Sequence, residues 1–411
     1  MPPIWSEIWG ARLKAQGARL KAKALTGTRQ RPGRGRRRER VTGPTSRRPD
    51  LRNALAGVLM FRQTNILGTL LLLFLTTLPM GSCARVNYIL HAAAGQFRLM
   101  SSAVPVEKGV ESASLTADQK DRLRLVARIK AFGEHDLGLK ETENYQTVSL
   151  KSGKPLYVVS ASHKDRLKSL TWWFPIVGAM PYLGFFDREK AGAEAARLRG
   201  KDLDVMVGSA DAYSTLGWFE DPVTLNLLQG STPELVEIIL HEMTHTTLYI
   251  KGQGAFNEGL ANLVGKIGAL NFLKRTYGPL HPFTIEAENI IQDERLFSFF
   301  IADLLKRLEK LYTSPLNYSK KLDRREAIFR AAKTEFNDLE TALKTSRFIG
   351  FGRGSLNNAY LLSIGLYHRH FNLFEGLFQK KGRSLMGTIL YCKGLAEKEG
   401  GMIEKMGMNK S

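Results

Sequence analysis

The sequence predicts an α+β chain that is mostly helical, with a small sheet ahead of one chemically loaded helix and a helical C-terminal half. Three observations carry this expectation. Runs rich in β-branched and aromatic residues fall between 156 and 210, a capped helix follows from Thr232, and beyond Glu258 apolar residues recur at three- and four-residue intervals. With 411 residues, 43% of them hydrophobic, the chain can bury a substantial core in one or two domains. It shows no internal repeat, Gly-rich phosphate loop or Cys-x-x-Cys pair.

The first 59 residues differ in composition from the rest. They hold 15 Lys+Arg against 3 Asp+Glu, which is +12 of the total +21 and leaves +9 for the remainder. Taken alone, RPGRGRRRER at 31–40 would suit nucleic acid or anionic lipid. Met60, however, opens MFRQTNILGTLLLLFLTTLPMGSC, with a short positive segment, an apolar run from Ile66 to Leu78 and small residues before Cys83. That run is short of the ~20 residues that span a bilayer, and Pro79 ends it. Residues 60–82 therefore read as an export signal and 83–411 as the working domain. Residues 1–59 are expected to lie outside the native protein, so nucleic acid is not an expected partner.

Met80-Gly81-Ser82-Cys83 resembles a bacterial lipobox, with Met80 where Leu is preferred. Cys83 is thus the expected lipidation site, and several acyl chains on one residue anchor a protein stably to a membrane. Cys392 is the only other cysteine, so a lipidated Cys83 leaves no disulfide. The expected location is the bacterial cell envelope, on the outer membrane or the periplasmic face of the inner one.

From Ala117 to Phe132, Leu123, Leu125, Val126, Ile129 and Phe132 give an amphipathic helix. Residues 156–162, 172–180, 182–186 and 204–210 read as strands. The stretch 204–217, with its small residues, is a candidate edge for pairing with an extended peptide. Thr232 then suits an N-cap, Pro233 the first helical position, and Glu234 the positive helix end. On this helix His241, Glu242 and His245 form His-Glu-x-x-His, which puts two imidazoles one turn apart on one face. A carboxylate beside them can take a proton from water activated by a bound ion. A tetrahedral ion needs a third protein ligand, and Glu258 supplies it if the helix runs about two turns past His245 and reverses at Gly252 and Gly254. The metzincin pattern would need Gly and His where Leu248 and Lys251 stand. Farther on, Ile285–Leu311 and Arg324–Leu343 suggest a helical hairpin, separated by SPLNYS at 314–319.

AFNEGLA at 255–261 resembles the Asn-Glu segment carrying the glutamate ligand in aminopeptidase N type gluzincins, although the 12 residues from 246 to 257 form a shorter spacer than theirs. A bacterial family of predicted aminopeptidases, often lipoproteins, is more similar still. The blocks that carry this resemblance are RLRLVARIKAFGEHDLGL at 122–139, TWWFPIVGAMPYLGFFD at 171–187, AYSTLGWFEDP at 212–222, the His241 helix, AFNEGLA, and LNNAYLLSIGLYHRHFNLFEGLF at 356–378. The resemblance implies a zincin-like peptidase domain that holds Zn2+ through His241, His245 and Glu258, with Glu242 as catalytic base and a peptide as substrate. Gluzincins add a Tyr or His donor at the developing oxyanion, for which Tyr367 and His368 are the candidates. Gly178-Ala179-Met180 is followed by Pro181 and Tyr182 and so lacks the amine-binding glutamate of the aminopeptidase N motif. Glu220 and Asp221 are alternatives for that charge. An endopeptidase and a non-catalytic peptide-binding lipoprotein remain the other readings.

Overall fold

The computed structural model describes residues 102–150, 156–174, 178–210, 221–398 and 400–408. The basic stretch, the export signal, Cys83, Glu220 and most of the 212–222 block lie outside them. The described part is mostly helical with small sheets, in agreement with the α+β expectation. None of its helices is long and apolar enough to cross a membrane.

In chain order the N-terminal half comprises β1 (Ala103–Pro105), α1 (Val106–Glu111), α2 (Ala117–His135), β2 (Thr147–Ser149), β3 (Leu156–His163), β4 (Trp172–Phe174), β5 (Gly178–Met180), β6 (Tyr182–Phe185), α3 (Arg188–Arg199), β7 (Leu203–Ala210) and β8 (Val223–Thr224). Strand β3 is the centre of an antiparallel sheet in the order β6-β3-β7. Alternation along the strands builds both faces: Val159, Ala161 and Val205 pack under Ala191, Ala195 and Leu198 of α3, while Met206 joins the helical core on the opposite side. The run 172–180, expected as one strand, is instead two antiparallel strands, with Trp172 opposite Met180. A further small sheet has the order β1-β2-β8, in which β2 pairs parallel with β8.

The C-terminal half comprises α4 (Thr232–Thr247), α5 (Gly254–Tyr277), α6 (Pro282–Tyr312), α7 (Tyr318–Glu340), α8 (Asn358–His368), α9 (Phe371–Lys380), α10 (Leu385–Ala396) and α11 (Met402–Met408). Helix α5 is the hub. Nearly every side chain from Phe256 to Ala269 is buried, polar ones included, because α2, α4, α6, α8, α9, α10 and α11 all pack against it. The expected hairpin of α6 and α7 is present, closed by a phenylalanine cluster in which Phe297 stacks on Phe348 at 4.0 Å and Phe336 meets Phe351 at 4.8 Å.

Two expectations for α4 are corrected. Its N-cap is Ser231, not Thr232: the Ser231 hydroxyl accepts from Glu234 N at 3.4 Å while Glu234 Oε2 accepts from Ser231 N at 2.7 Å. This reciprocal box satisfies two terminal donors, which Thr232 at that place would not do with its own third neighbour, Leu235. The helix also stops at Thr247 rather than running two turns past His245. Leu248, with its backbone extended at φ −149° and ψ 110°, closes the helix by donating its N–H to Thr244 O, while the hydroxyls of Thr244, Thr246 and Thr247 turn back onto Leu240 O and Met243 O in the final turns.

Candidate metal centre

Helix α4 presents His241 and His245 with their Nε2 atoms 3.1 Å apart. Glu258, in the first turns of α5, places Oε2 3.2 Å from His241 Nε2 and 3.4 Å from His245 Nε2. Two devices bring that carboxylate back to the histidines. Asn257 clasps the connecting loop by accepting from Ile250 N and donating to Ile250 O, both at 2.9 Å, and Gly252 turns the chain at φ 78°. Where the helices cross, Gly265 lets them touch: a Cβ there would lie 2.8 Å from Glu237 O and 3.2 Å from Cβ of His241. The early end of α4 thus shortens the hairpin without displacing Glu258.

This triangle fits a small tetrahedral ion. Donor bonds of about 2.05 Å at tetrahedral angles put donors roughly 3.3 Å apart, and the three edges span 3.1 to 3.4 Å. Glu258 Oε2 and His245 Nδ1 are buried without a hydrogen-bond partner among the described residues. Burial alone would raise the Glu258 pKa, but the two imidazoles beside it, His245 first and then His241, hold it far below the usual carboxylate range. Burial likewise works to lower the pKa of His245, and the neighbouring Glu258 outweighs it and raises the value. Among the described residues this is the group of histidines and carboxylates that could hold a metal ion.

Glu242 is half-buried beside the triangle. Its charge reaches His245 and two phenols, those of Tyr145 and Tyr367. The Tyr367 ring stacks on His241 at a centroid distance of 6.5 Å, and its phenol is pushed well above its ordinary pKa by Glu258 first, then by burial, Tyr182 and Glu242. His368, its neighbour in sequence, points elsewhere. Its Nδ1 lies 2.7 Å from Glu294 Oε1, and its ring meets Phe297 and Phe348 edge-on. Of the two oxyanion candidates, then, Tyr367 lies at the triangle and His368 belongs to the interior behind it.

That interior is ionic. Lys266, with no exposed side-chain surface, meets Glu237 Oε1 at 2.7 Å, Asn262 Oδ1 at 3.0 Å and Glu294 Oε2 at 3.5 Å. Arg347 grips Glu237 with two bonds of 2.7 Å. Burial would raise the pKa of Glu237, but the charges of Arg347 and Lys266 keep it ionised far into acid; Glu294 is lowered against burial by His368 and Lys266.

The model of the family described as Putative aminopeptidase matches residues 87–402. The chain belongs to this family. No curated protein and no solved structure matches it significantly. As a member of the Putative aminopeptidase family the chain carries a name for peptidase activity, and the matched span contains every residue of the triangle.

Sequence reasoning missed three residues around the triangle. Tyr249 meets His245 edge-on at 6.3 Å, with its phenol raised by burial and by Glu258, and it follows His245 at i+4, a spacing that could have flagged it. Tyr145, buried at a left-handed φ of 64°, has a phenol raised by burial, then Glu242 and Asp221. Tyr182, whose charge acts on Tyr367, starts strand β6, an edge of its sheet. Asp221 is buried; its carbonyl accepts from Tyr145 N at 2.8 Å and its N–H donates to Asn144 Oδ1 at 3.2 Å. Trp172 packs on the α3 core, and Trp173 is 65% exposed.

Proposed function

We propose that the chain is a zinc-dependent peptidase of zincin type that removes N-terminal residues from peptides, tethered to a bacterial membrane through Cys83. The observation that carries this reading is the triangle of His241, His245 and Glu258, with edges of 3.1 to 3.4 Å, beside Glu242 in a chain of an aminopeptidase family. A zinc ion held there would polarise the scissile carbonyl and lower the pKa of water to about 7.

The remaining work falls to side chains. Glu242 accepts a proton from the attacking water and delivers it to the departing amine nitrogen, a role open to a carboxylate beside the triangle. Tyr367, kept protonated by the carboxylates that raise its pKa, donates its phenolic proton toward the oxygen that gains charge. Tyr249, beside His245, is more open to solvent than Tyr367. Aminopeptidase rather than endopeptidase action is supported by the family description. The lipid anchor is supported by the Cys83 lipobox and the apolar run before it.

The test is metal content and peptide hydrolysis by the protein and by Glu242→Gln, on matched peptides with free and acetylated N-termini. Stoichiometric zinc in both, turnover lost in the variant and loss on acetylation are the expected results. Zinc without turnover would leave a binding scaffold, turnover of acetylated peptides an endopeptidase, and absence of zinc binding would refute the proposal.

A further inference from the structure

Helix α5 carries Glu258, Asn262 and Lys266 at four-residue intervals, hence on one face. The first completes the triangle. The second donates Nδ2 to the main-chain carbonyl of Tyr367 at 2.5 Å, and the third meets Asn262 Oδ1 at 3.0 Å. A carboxamide has two distinguishable ends, and Lys266, which can only donate, selects which end faces it. The oxygen turns to the ammonium, so the NH2 must face Tyr367. Lys266 also pairs with Glu294, and Glu294 holds the ring of His368, the residue after Tyr367. The last turn of α8 is therefore held at two adjacent residues, by a main-chain bond at one and a side-chain bond at the other, and both holds converge on one buried ammonium.

The far side of the cluster returns to the metal helix. Lys266 and Arg347 both bind Glu237, one turn before His241 on α4. Two cations and two carboxylates with no exposed ammonium surface are expensive to bury, so the cluster fixes a geometry more than it adds stability.

We infer that Asn262, oriented by Lys266, is a positioning residue: it sets the height and direction of the Tyr367 phenol over the His241, His245 and Glu258 triangle. This rests on the peptidase reading in giving Tyr367 a catalytic task, but the positioning itself does not require metal or substrate. Packing alone would accept any residue of the same shape at 262. Positioning requires a donor toward Tyr367 O.

Asn262→Asp separates the two. It keeps shape and strengthens the pair with Lys266, so the protein folds, but it faces a carbonyl oxygen with an acceptor. With 3-fluorotyrosine placed at position 367 of the full chain, 19F NMR of the metal-free protein should give one sharp resonance in the parent and a shifted or broadened one in Asn262→Asp and Asn262→Ala. In the zinc-loaded protein, both variants should retain stoichiometric zinc and lose about 10- to 100-fold in kcat on the cleaved peptide with KM nearly unchanged. The loss should vanish in a Tyr367→Phe background, because the phenol to be positioned is gone. A parent-like 19F spectrum for Asn262→Asp would overturn the inference, and so would a kcat loss that persists in full without the phenol. If the parent binds no zinc or cleaves no peptide, the peptidase reading fails, while the 19F comparison still decides whether Asn262 positions Tyr367.

Discussion

Replacing Gly265 by alanine tests whether the closeness of α4 and α5 sets the triangle. The added Cβ would stand 2.8 Å from Glu237 O, a backbone atom that cannot rotate away, and 3.2 Å from Cβ of His241. Ordinary contact begins near 3.4 Å, so the helices must part by about half an ångström at the level of the first histidine. Overpacking of this kind costs about 1–3 kcal/mol. Alanine returns about 1 kcal/mol in helix propensity, leaving a net loss of roughly 0–2 kcal/mol. The larger effect should fall on the metal, because His241 is on α4 and Glu258 on α5, and their 3.2 Å separation widens as the helices part. Metal affinity, measured by competition with a chromophoric chelator, should fall by at least about tenfold while urea unfolding shifts modestly. Affinity equal to the parent, with the alanine in place and the fold intact, would refute the argument that this crossing holds the triangle.

Other expectations follow from the same geometry. Glu258→Gln should abolish stoichiometric zinc binding while leaving the circular dichroism unchanged, since the residue contributes a donor more than packing; retained zinc by elemental analysis would remove Glu258 from the ligand set. Asn257→Leu removes both bonds to Ile250 and strands two main-chain groups, so the midpoint of urea unfolding should fall by the equivalent of about 2–4 kcal/mol, and an unchanged midpoint would deny the clasp. Asn358 is buried and donates to the carbonyls of His163 and Lys164 while accepting from the Tyr312 hydroxyl; Asn358→Ala should lower the thermal midpoint by several degrees, and an unchanged melting curve would count against this link between the sheet and α8. Glu237 and Glu294 have depressed pKa values, so their stabilisation is complete above the unfolded value of about 4.3 and is lost as pH falls through the folded values. Glu237→Gln should therefore flatten the acid limb of stability below about pH 5, and an acid limb as steep as the parent's would contradict that assignment.

The parts of the fold that were legible are those governed by local rules. The His-Glu-x-x-His spacing, the apolar period of α6 and α7 and the β-branched runs of β3 and β7 each depend on neighbours within a few residues. The placement of Glu258 was legible for the same reason, since a short hairpin leaves few ways to return. What was not legible depends on distant partners. Nothing in the neighbourhood of Lys266 says that an ammonium there is buried against Glu237 and Glu294, and nothing around His368 distinguishes a phenol-adjacent donor from an interior imidazole held by Glu294. Tyr367 and His368 are adjacent in sequence yet face different surroundings, because successive helical residues point about 100° apart. The early end of α4 lies where Leu248 turns extended after three threonines in four residues whose hydroxyls bond back to the preceding turns, a feature that hydrophobic periodicity does not register.

The ionic interior also bears on why the centre sits where it does. A purely apolar crossing of α4 and α5 would cost less than burying Glu237, Glu294, Lys266 and Arg347, and an apolar interface tolerates small slides of one helix past the other. A slide of even one ångström would open a triangle whose edges are 3.1 to 3.4 Å. Ion pairs at 2.7 Å between Glu237 and both Lys266 and Arg347 do not tolerate it, since a charge moved off its partner in the interior is left unpaired at a cost of about 3–5 kcal/mol. The crossing is thereby pinned in two ways, by the contact of Gly265 with His241 and by charge at Glu237, one turn before that histidine on α4. On this argument, loss of either restraint should loosen metal binding more than it loosens the fold, and loss of both should exceed the sum of the single effects because they act on one degree of freedom.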